Sequence, residues 1–210
     1  MDRLLPFDEL NILRTMVTNI FMVGSEQRKS YTDYVIDEML DILILAYLNG
    51  NEAANFMLGE NVAIDSEALT ESVNRKIADK TWKDRVTEYM ASETATVEDV
   101  MKVAETDSHR IYNEALYAVG KAVEERSASA PKSTNEGVPS GEKKTKVVKT
   151  WETMLDDRVR DTHDYLEGTT IPFDERFYTY DGDSADRPGD FAFPENNINC
   201  RCRIVLSKAD

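Results

Sequence analysis

Residues 197–206 read "NINCRCRIVL" and contain the two cysteines of the chain, Cys200 and Cys202. In an extended segment successive side chains turn to opposite faces. Ile198, Cys200, Cys202, Ile204 and Leu206 then share one side, and Asn199, Arg201, Arg203 and Val205 the other. The apolar side predicts a final strand over 198–206 that turns both thiols into a core. Two residues apart on a strand, the cysteine Cα atoms would be about 6.5–7 Å apart, the outer limit for a disulfide. One metal ion can bridge two thiolates that face the same way with less distortion.

The residues before this stretch supply the rest of a small unit. The alternation from Val147 to Met154 predicts a strand, and residues 157–167 predict a short helix stopped by Gly168 at the usual C-terminal glycine position. A second strand is expected from Ile171 to Tyr180, closed by Asp181-Gly182, and a Pro/Gly/Asp-rich loop runs on to Pro194. Within the short helix, Val159, His163 and Leu166 recur at helical spacing, so His163 faces inward with two apolar neighbours. It would meet the final strand in one shared core.

His163, Cys200 and Cys202 therefore form a metal-ligating set of the kind that holds zinc (Zn), with a carboxylate such as Asp161, His109 or a water as fourth ligand. The same residues also read as plain core. Cysteine is among the most buried residue types and packs as a small hydrophobe, and an inward histidine can be satisfied by a hydrogen bond. The residues alone leave both possibilities open.

Charged residues surround this set. Arg201, Arg203, Arg158 and Arg160 stand among Asp156, Asp157, Asp161 and Asp164, which predicts intramolecular salt bridges or, alternatively, a docking surface. The loop "DGDSADRPGD" offers Asp181, Asp183, Asp186 and Asp190. It lacks the glycine and terminal glutamate positions of an EF-hand loop and reads as a solvated acidic turn.

Upstream the periodicity is helical. Leu10, Leu13, Val17, Ile20 and Phe21 lie on one helical face that ends at Gly24-Ser25. A second helix, 32–48, is expected to stop at Asn49-Gly50; it is apolar nearly all round at its end, so it should be central in a bundle or covered by a partner. After a short piece over 52–58, Leu69, Val73, Ile77, Trp82, Val86 and Tyr89 predict a third long helix. Thr96 and Asp99 form a capping box for a fourth helix reaching Glu125, about 45 Å long.

Residues 127–146, "SASAPKSTNEGVPSGEKKTK", have almost no large apolar side chain and read as a flexible Ser/Pro/Gly/Lys-rich loop. The fold class is α+β, a mainly helical N-terminal part followed by a small antiparallel β unit with one short helix. Four segments follow: a helical N-terminal segment 1–60, long helices 61–126, the loop 127–146 and a C-terminal β unit 147–210 with the CxC strand.

Composition narrows the functions. With 210 residues and 41% hydrophobic content the chain can fill a core. Its 40 acidic and 25 basic residues give a net charge of -15, which repels phosphate backbones unless basic residues cluster locally. Stable sequence-specific DNA binding is therefore not expected. Neither a secretory signal nor a run long enough to span a membrane is expected, which fits a reducing cytoplasm. Gly-rich phosphate loops, HExxH and GxSxG are missing, so no enzyme is expected.

Three stretches in order, "KTWETMLDDRVRDTHDYLEG", "IPFDERF" and "NNINCRCR", resemble the phage Mu protein F-like family of minor head proteins, also called the phage head morphogenesis family. The resemblance rests on Lys149, Trp151, Asp157, Arg158, Arg160, His163, Leu166, Gly168, Phe177, Pro194, Asn199, Cys200, Arg201 and Cys202. It extends upstream through Thr106, Asp107, Arg110 and Asn113, with aspartate where the family tends to carry glutamate, and covers about Leu69 to Leu206.

The resemblance implies a bacteriophage minor head (minor capsid) protein acting in head assembly by binding portal or inner capsid protein. It would reside in the virion, at the capsid interior or portal vertex, and in the host cytoplasm during assembly. Exposed apolar residues on the second helix would be its docking patch. The alternative is a metal-dependent enzyme or toxin-like domain using His163, Cys200 and Cys202, because some members of the family are fused to toxin or enzymatic domains.

Overall fold

The computed structural model describes residues 7–129 and 146–209, and it is α+β as the sequence predicts. Helix α1 (Phe7–Phe21) buries the predicted stripe of Leu10, Leu13, Val17 and Ile20. A short α2 (Ser25–Arg28) and a 3-10 turn lead into α3 (Thr32–Leu58). This helix runs ten residues past its expected end at Leu48 and takes in the piece expected separately over 52–58. Gly50 is a contact point rather than a stop. A Cβ there would lie 2.5 Å from the Tyr112 carbonyl oxygen and 2.9 Å from the Ala115 Cβ, so its absence lets α3 approach the long helix that carries both residues. The chain leaves α3 at Gly59, whose φ of +61° suits glycine.

The predicted third helix is two helices, α4 (Ser66–Asn74) and α5 (Trp82–Ala91). Between them Ala78 and Asp79 adopt positive φ, Ile77 and Lys80 form a bridge, and Thr81 with Asp84 makes a capping box that starts α5 afresh. Helix α6 (Val97–Ser129) begins at the predicted capping box: the Thr96 N–H donates to the Asp99 carboxylate at 2.8 Å, and the Asp99 N–H donates to Thr96 Oγ1 at 3.3 Å. It takes in the first residues of the segment expected as a loop over 127–146; residues 130–145 lie outside the described residues.

The C-terminal module consists of β1 (Val147–Glu152), α7 (Asp161–Asp164), β2 (Thr170–Pro172), β3 (Phe177–Tyr178), β4 (Ser184–Ala185), α8 (Pro194–Asn197) and β5 (Arg203–Lys208). Its three-stranded antiparallel sheet has the order β2-β1-β5, with Lys149 opposite Leu206 and Trp151 opposite Ile204. The strands β3 and β4 pair separately.

Three expectations change here. The second strand is divided into β2 and β3 by a turn in which the Glu175 N–H donates to the Pro172 carbonyl at 3.1 Å. The helix expected over 157–167 shrinks to four residues. The last strand starts at Arg203 instead of Ile198, because Ile198 caps α8 and Asn199 adopts a positive φ (+58°) that breaks an extended run. The inner face of this module packs on the second half of α6 and the end of α3, where Trp151, Phe173 and Phe177 meet Ala54, Leu58, Tyr112, Leu116 and Val119.

Candidate metal centre

Short segments carry the three predicted ligands, so hydrogen bonds rather than long regular elements must position them. Buried Asn113 on α6 does this for the end of the chain. Its Nδ2 donates to the Cys202 carbonyl at 2.9 Å and to the His109 carbonyl at 2.8 Å, and its Oδ1 accepts from the Ile204 N–H at 2.9 Å. The long helix thereby fixes the entry into β5. The Arg160 guanidinium donates to the Asn196 and Ile198 carbonyls at 3.3 and 2.6 Å, tying the residue before α7 to the turn before Cys200. At the end of the loop after α7, the Gly168 N–H, at φ +71°, donates back to the Trp151 carbonyl at 2.9 Å.

Asp183 organises the loop that the sequence presents as a solvated acidic turn. It is only 3% exposed. It accepts from the N–H groups of Ser184, Ala192 and Phe193 and from Asn196 Nδ2, at 2.8–3.1 Å. Burial disfavours its charge, but the bonds from Asn196 and these backbone groups outweigh that and hold its carboxyl below the usual range. Asn197 clasps the same loop, its Oδ1 accepting from the Phe191 N–H at 2.9 Å and its Nδ2 donating to the Phe191 carbonyl at 2.7 Å. This framework explains why a loop of Pro, Gly and Asp lies against a core.

The three predicted ligands come together. His163 Nδ1 lies 3.5 Å from both the Cys200 and the Cys202 Sγ, and all three ligand atoms fall within 4.8 Å of one another. All three residues are buried. The imidazole stacks on Phe191 at 5.2 Å between ring centroids and meets Trp151 edge-on at 5.4 Å. Bonds of about 2.3 Å to sulfur and about 2.0–2.1 Å to nitrogen at tetrahedral angles put N and S about 3.5 Å apart. The protein holds the His163 nitrogen at that separation from each sulfur.

The electrostatics of the pair are asymmetric. A hydrogen bond from Cys202 and the neighbouring His163 lower the Cys200 thiol well below its ordinary value against the effect of burial. The adjacent Cys200 sulfur and burial push Cys202 up. The Cys200 sulfur thus opposes ionisation of Cys202, and a cation between them would let both ionise. His163 Nε2 has no hydrogen-bond partner among the described residues, so the flanking rings hold the imidazole in place of a second acceptor.

The proposed fourth ligands do not join the group. Asp161 is exposed at the start of α7. His109 is buried on α6, its pKa brought down to about 3 by burial and by Arg201 and Arg203. Among the described residues the cluster is His163, Cys200 and Cys202 alone, beside a small cleft lined by Met154, Arg158, Arg160 and Arg201.

The remaining motif residues surround the cluster. Trp151 is fully buried in β1, and Asp157 and Arg158 are exposed. Arg201 donates to both Asp156 oxygens at 2.6 and 2.8 Å, and Arg203 pairs with Glu152 at 2.6 Å, so part of the expected salt-bridge set forms. On α6, Asp107 and Arg110 are buried in an ionic chain: Asp107 binds Arg85 and Arg110, and Arg110 reaches Glu114 at 2.9 Å. Arg75 then joins Glu114 to Asp190 of the C-terminal loop. Asp183, expected in a solvated turn, is instead a buried organiser, and no expectation singled out Asn196 or Asn197; the Asn-Asn pair just before the cysteines is a local signal of a turn there.

Fold and cluster define a small α+β module in which two cysteines and a histidine share a core hung on one long helix. The chain belongs to the family described as Phage Mu protein F like protein, whose profile matches residues 66–205. That match starts with α4 and ends inside β5, leaving α1 to α3 outside it. The chain is also similar to the minor head protein GP7 of Bacillus phage SPP1, 35% identical over 63 residues, a stretch that covers 30% of this chain and 20% of that protein. No solved structure matches.

Proposed function

We propose that the chain is a phage minor head protein acting in head assembly, bound to portal or inner capsid protein, and that His163, Cys200 and Cys202 hold a structural zinc ion in its C-terminal module. The family match across residues 66–205 carries the assembly role. Two further features support it. A net charge of -15 disfavours adhesion to packaged DNA, and α1 and α3 leave Ile12, Tyr34 and Phe56 (68% exposed) uncovered. The test is to express a tagged chain during phage growth and separate particles on a density gradient. The chain is expected in head-containing fractions; its absence from every particle fraction would overturn the assignment.

The equal 3.5 Å approach of His163 Nδ1 to both sulfurs carries the zinc assignment. When bound, the ion would hold both sulfurs as thiolates and tie α7 to the turn before β5. Burial of all three donors between aromatic rings suits a structural centre better than general-base work, which needs the imidazole within reach of substrate. One observation favours the alternative of a metal-dependent enzyme: three protein ligands beside a cleft leave the fourth place open. His163→Ala separates the two. Loss of folding supports the structural role, and a retained fold with loss of a measurable hydrolytic activity supports the enzyme.

A further inference from the structure

A charge of -15 makes any locally basic surface on this chain unusual, and the region beside Asn199 is one. Three adjoining clefts share Asn199, which its positive φ turns outward from the cysteine turn. Lys102, Arg158, Arg160 and Arg201 line the middle cleft against a single carboxylate, Glu105, which is itself 3.5 Å from Arg14. Arg201 is neutralised by Asp156, and Arg158 stands 3.8 Å from the same carboxylate. Among the described residues neither Lys102 nor Arg160 has an ion-pair partner; Arg160 spends its donors on two backbone carbonyls, which orient it without cancelling its charge. Each flanking cleft adds an exposed apolar side chain, and the one beyond Lys102 also carries Lys80, Arg85 and Asp99. Met154, 43% exposed, lies on one side, and Ile198, 41% exposed, on the other near Ile77 and Tyr89.

A basic centre with an exposed Met154 on one side and an exposed Ile198 on the other selects its occupant. Arginine forks and a lysine ammonium match carboxylates or phosphates. A duplex, however, brings one negative charge per about 1.7 Å of axis, and the acidic remainder of this chain repels it. A phosphate backbone also gives Met154 and Ile198 nothing to pack against. A short acidic stretch of polypeptide with apolar neighbours satisfies both parts of the groove.

We propose that this groove docks an acidic, apolar-flanked segment of another head protein, with its carboxylates on Lys102, Arg158 and Arg160 and its apolar side chains on Met154 and Ile198. This rests on the assembly role proposed above and names a surface for it apart from the exposed apolar residues of α1 and α3.

The test uses the full chain and the double variant Lys102→Glu/Arg158→Glu, in which both altered side chains are exposed, so the fold is kept; circular dichroism checks this. Fluorescence anisotropy measures binding of a synthetic peptide of alternating glutamate and leucine, its glutamine counterpart and a single-stranded oligonucleotide of equal length. The expected result is salt-sensitive binding of the glutamate peptide, weakened about tenfold or more by the double variant and by the change to glutamine. Equal binding by both proteins, no binding of the glutamate peptide, or tighter binding of the oligonucleotide would each overturn the proposal. Particle fractions keep the two proposals apart. If the unaltered chain enters heads and the double variant enters them equally well, the groove is wrong and the assembly role stands; if the unaltered chain enters no head, the assembly role itself fails.

Discussion

The two cores of this protein are built on different physics, although α6 belongs to both. Val100, Met101, Val103, Ala104 and Ile111 of α6 enter a helical core with α1, α3, α4 and α5, filled mainly by aliphatic side chains and methionines at helical spacing, with Tyr47 and Trp82 among them. Tyr112, Leu116, Val119 and Val123 enter the other, with aromatic rings, two thiols and an imidazole that come from strands as short as two residues, from the short α7 and from the turns between them. Long amphipathic helices bury enough apolar surface to define themselves. Strands this short do not stand alone, and the C-terminal module depends on α6 and on Asn113 and Asp183; the proposed ion would add a further tie. The comparison shows where the molecule is held by burial and where by specific polar contacts.

The largest expected effect falls on the seam between the cores. Arg110→Met leaves Asp107 and Glu114 short of a buried partner, and breaking a buried pair costs about 3–5 kcal/mol. Urea unfolding should show this as a fall in stability of the whole chain; a change under about 1 kcal/mol would mean that Arg85 and Arg75 suffice for the two carboxylates. Asn113→Ala acts on one side only. It strands the Cys202 carbonyl and the Ile204 N–H, at a cost of roughly 3 kcal/mol. Hydrogen exchange should show β5 losing protection while α1 and α3 keep theirs, and equal loss in both regions would refute the separation.

Gly50→Ala probes the helical side. Its Cβ would press on the Tyr112 carbonyl, and forcing α3 from α6 should cost about 1–3 kcal/mol by thermal or urea unfolding. The smallest effect concerns pH. The folded-state value of Asp183 lies below the ordinary 3.8, so the stability it contributes is fully present above 3.8 and is lost as pH falls through the lower folded value. Acid titration followed by the combined fluorescence of Trp82 and Trp151 should show loosening in that range, and Asp183→Asn should reduce this dependence, the remainder belonging to Asp156, Asp181 and the other carboxylates held below their ordinary values.

The difference between the cores also governs what the sequence reveals. The α1 stripe, the Thr96–Asp99 box and the β1 alternation are periodic or local signals, and they appear where expected. The meeting of His163 with Cys200 and Cys202 was legible because burial of alternate residues holds at Cys200, Cys202, Ile204 and Leu206, although the strand itself starts only at Arg203. Ile198 breaks the pattern and is exposed. The division between α4 and α5 was hidden because Val73, Ile77, Trp82 and Val86 all remain buried while the backbone turns. Gly50 has the composition of a helix stop and the position of a helix contact. The Asp183 framework leaves no periodic trace, since a carboxylate bonding backbone N–H groups looks in sequence like any acidic residue of a turn.

The central claim is that His163, Cys200 and Cys202 form one metal-holding staple for the C-terminal module. Elemental analysis and zinc K-edge absorption on the full chain, grown with added zinc, test it most directly, with melting followed before and after chelation. The predicted result is about one zinc per chain with two sulfur neighbours near about 2.3 Å and at least one nitrogen, absent from Cys200→Ser/Cys202→Ser, and a lower melting temperature once the ion is removed. A chain that takes up no metal and melts identically with and without chelator would contradict it, leaving the three residues as a hydrogen-bonded piece of core.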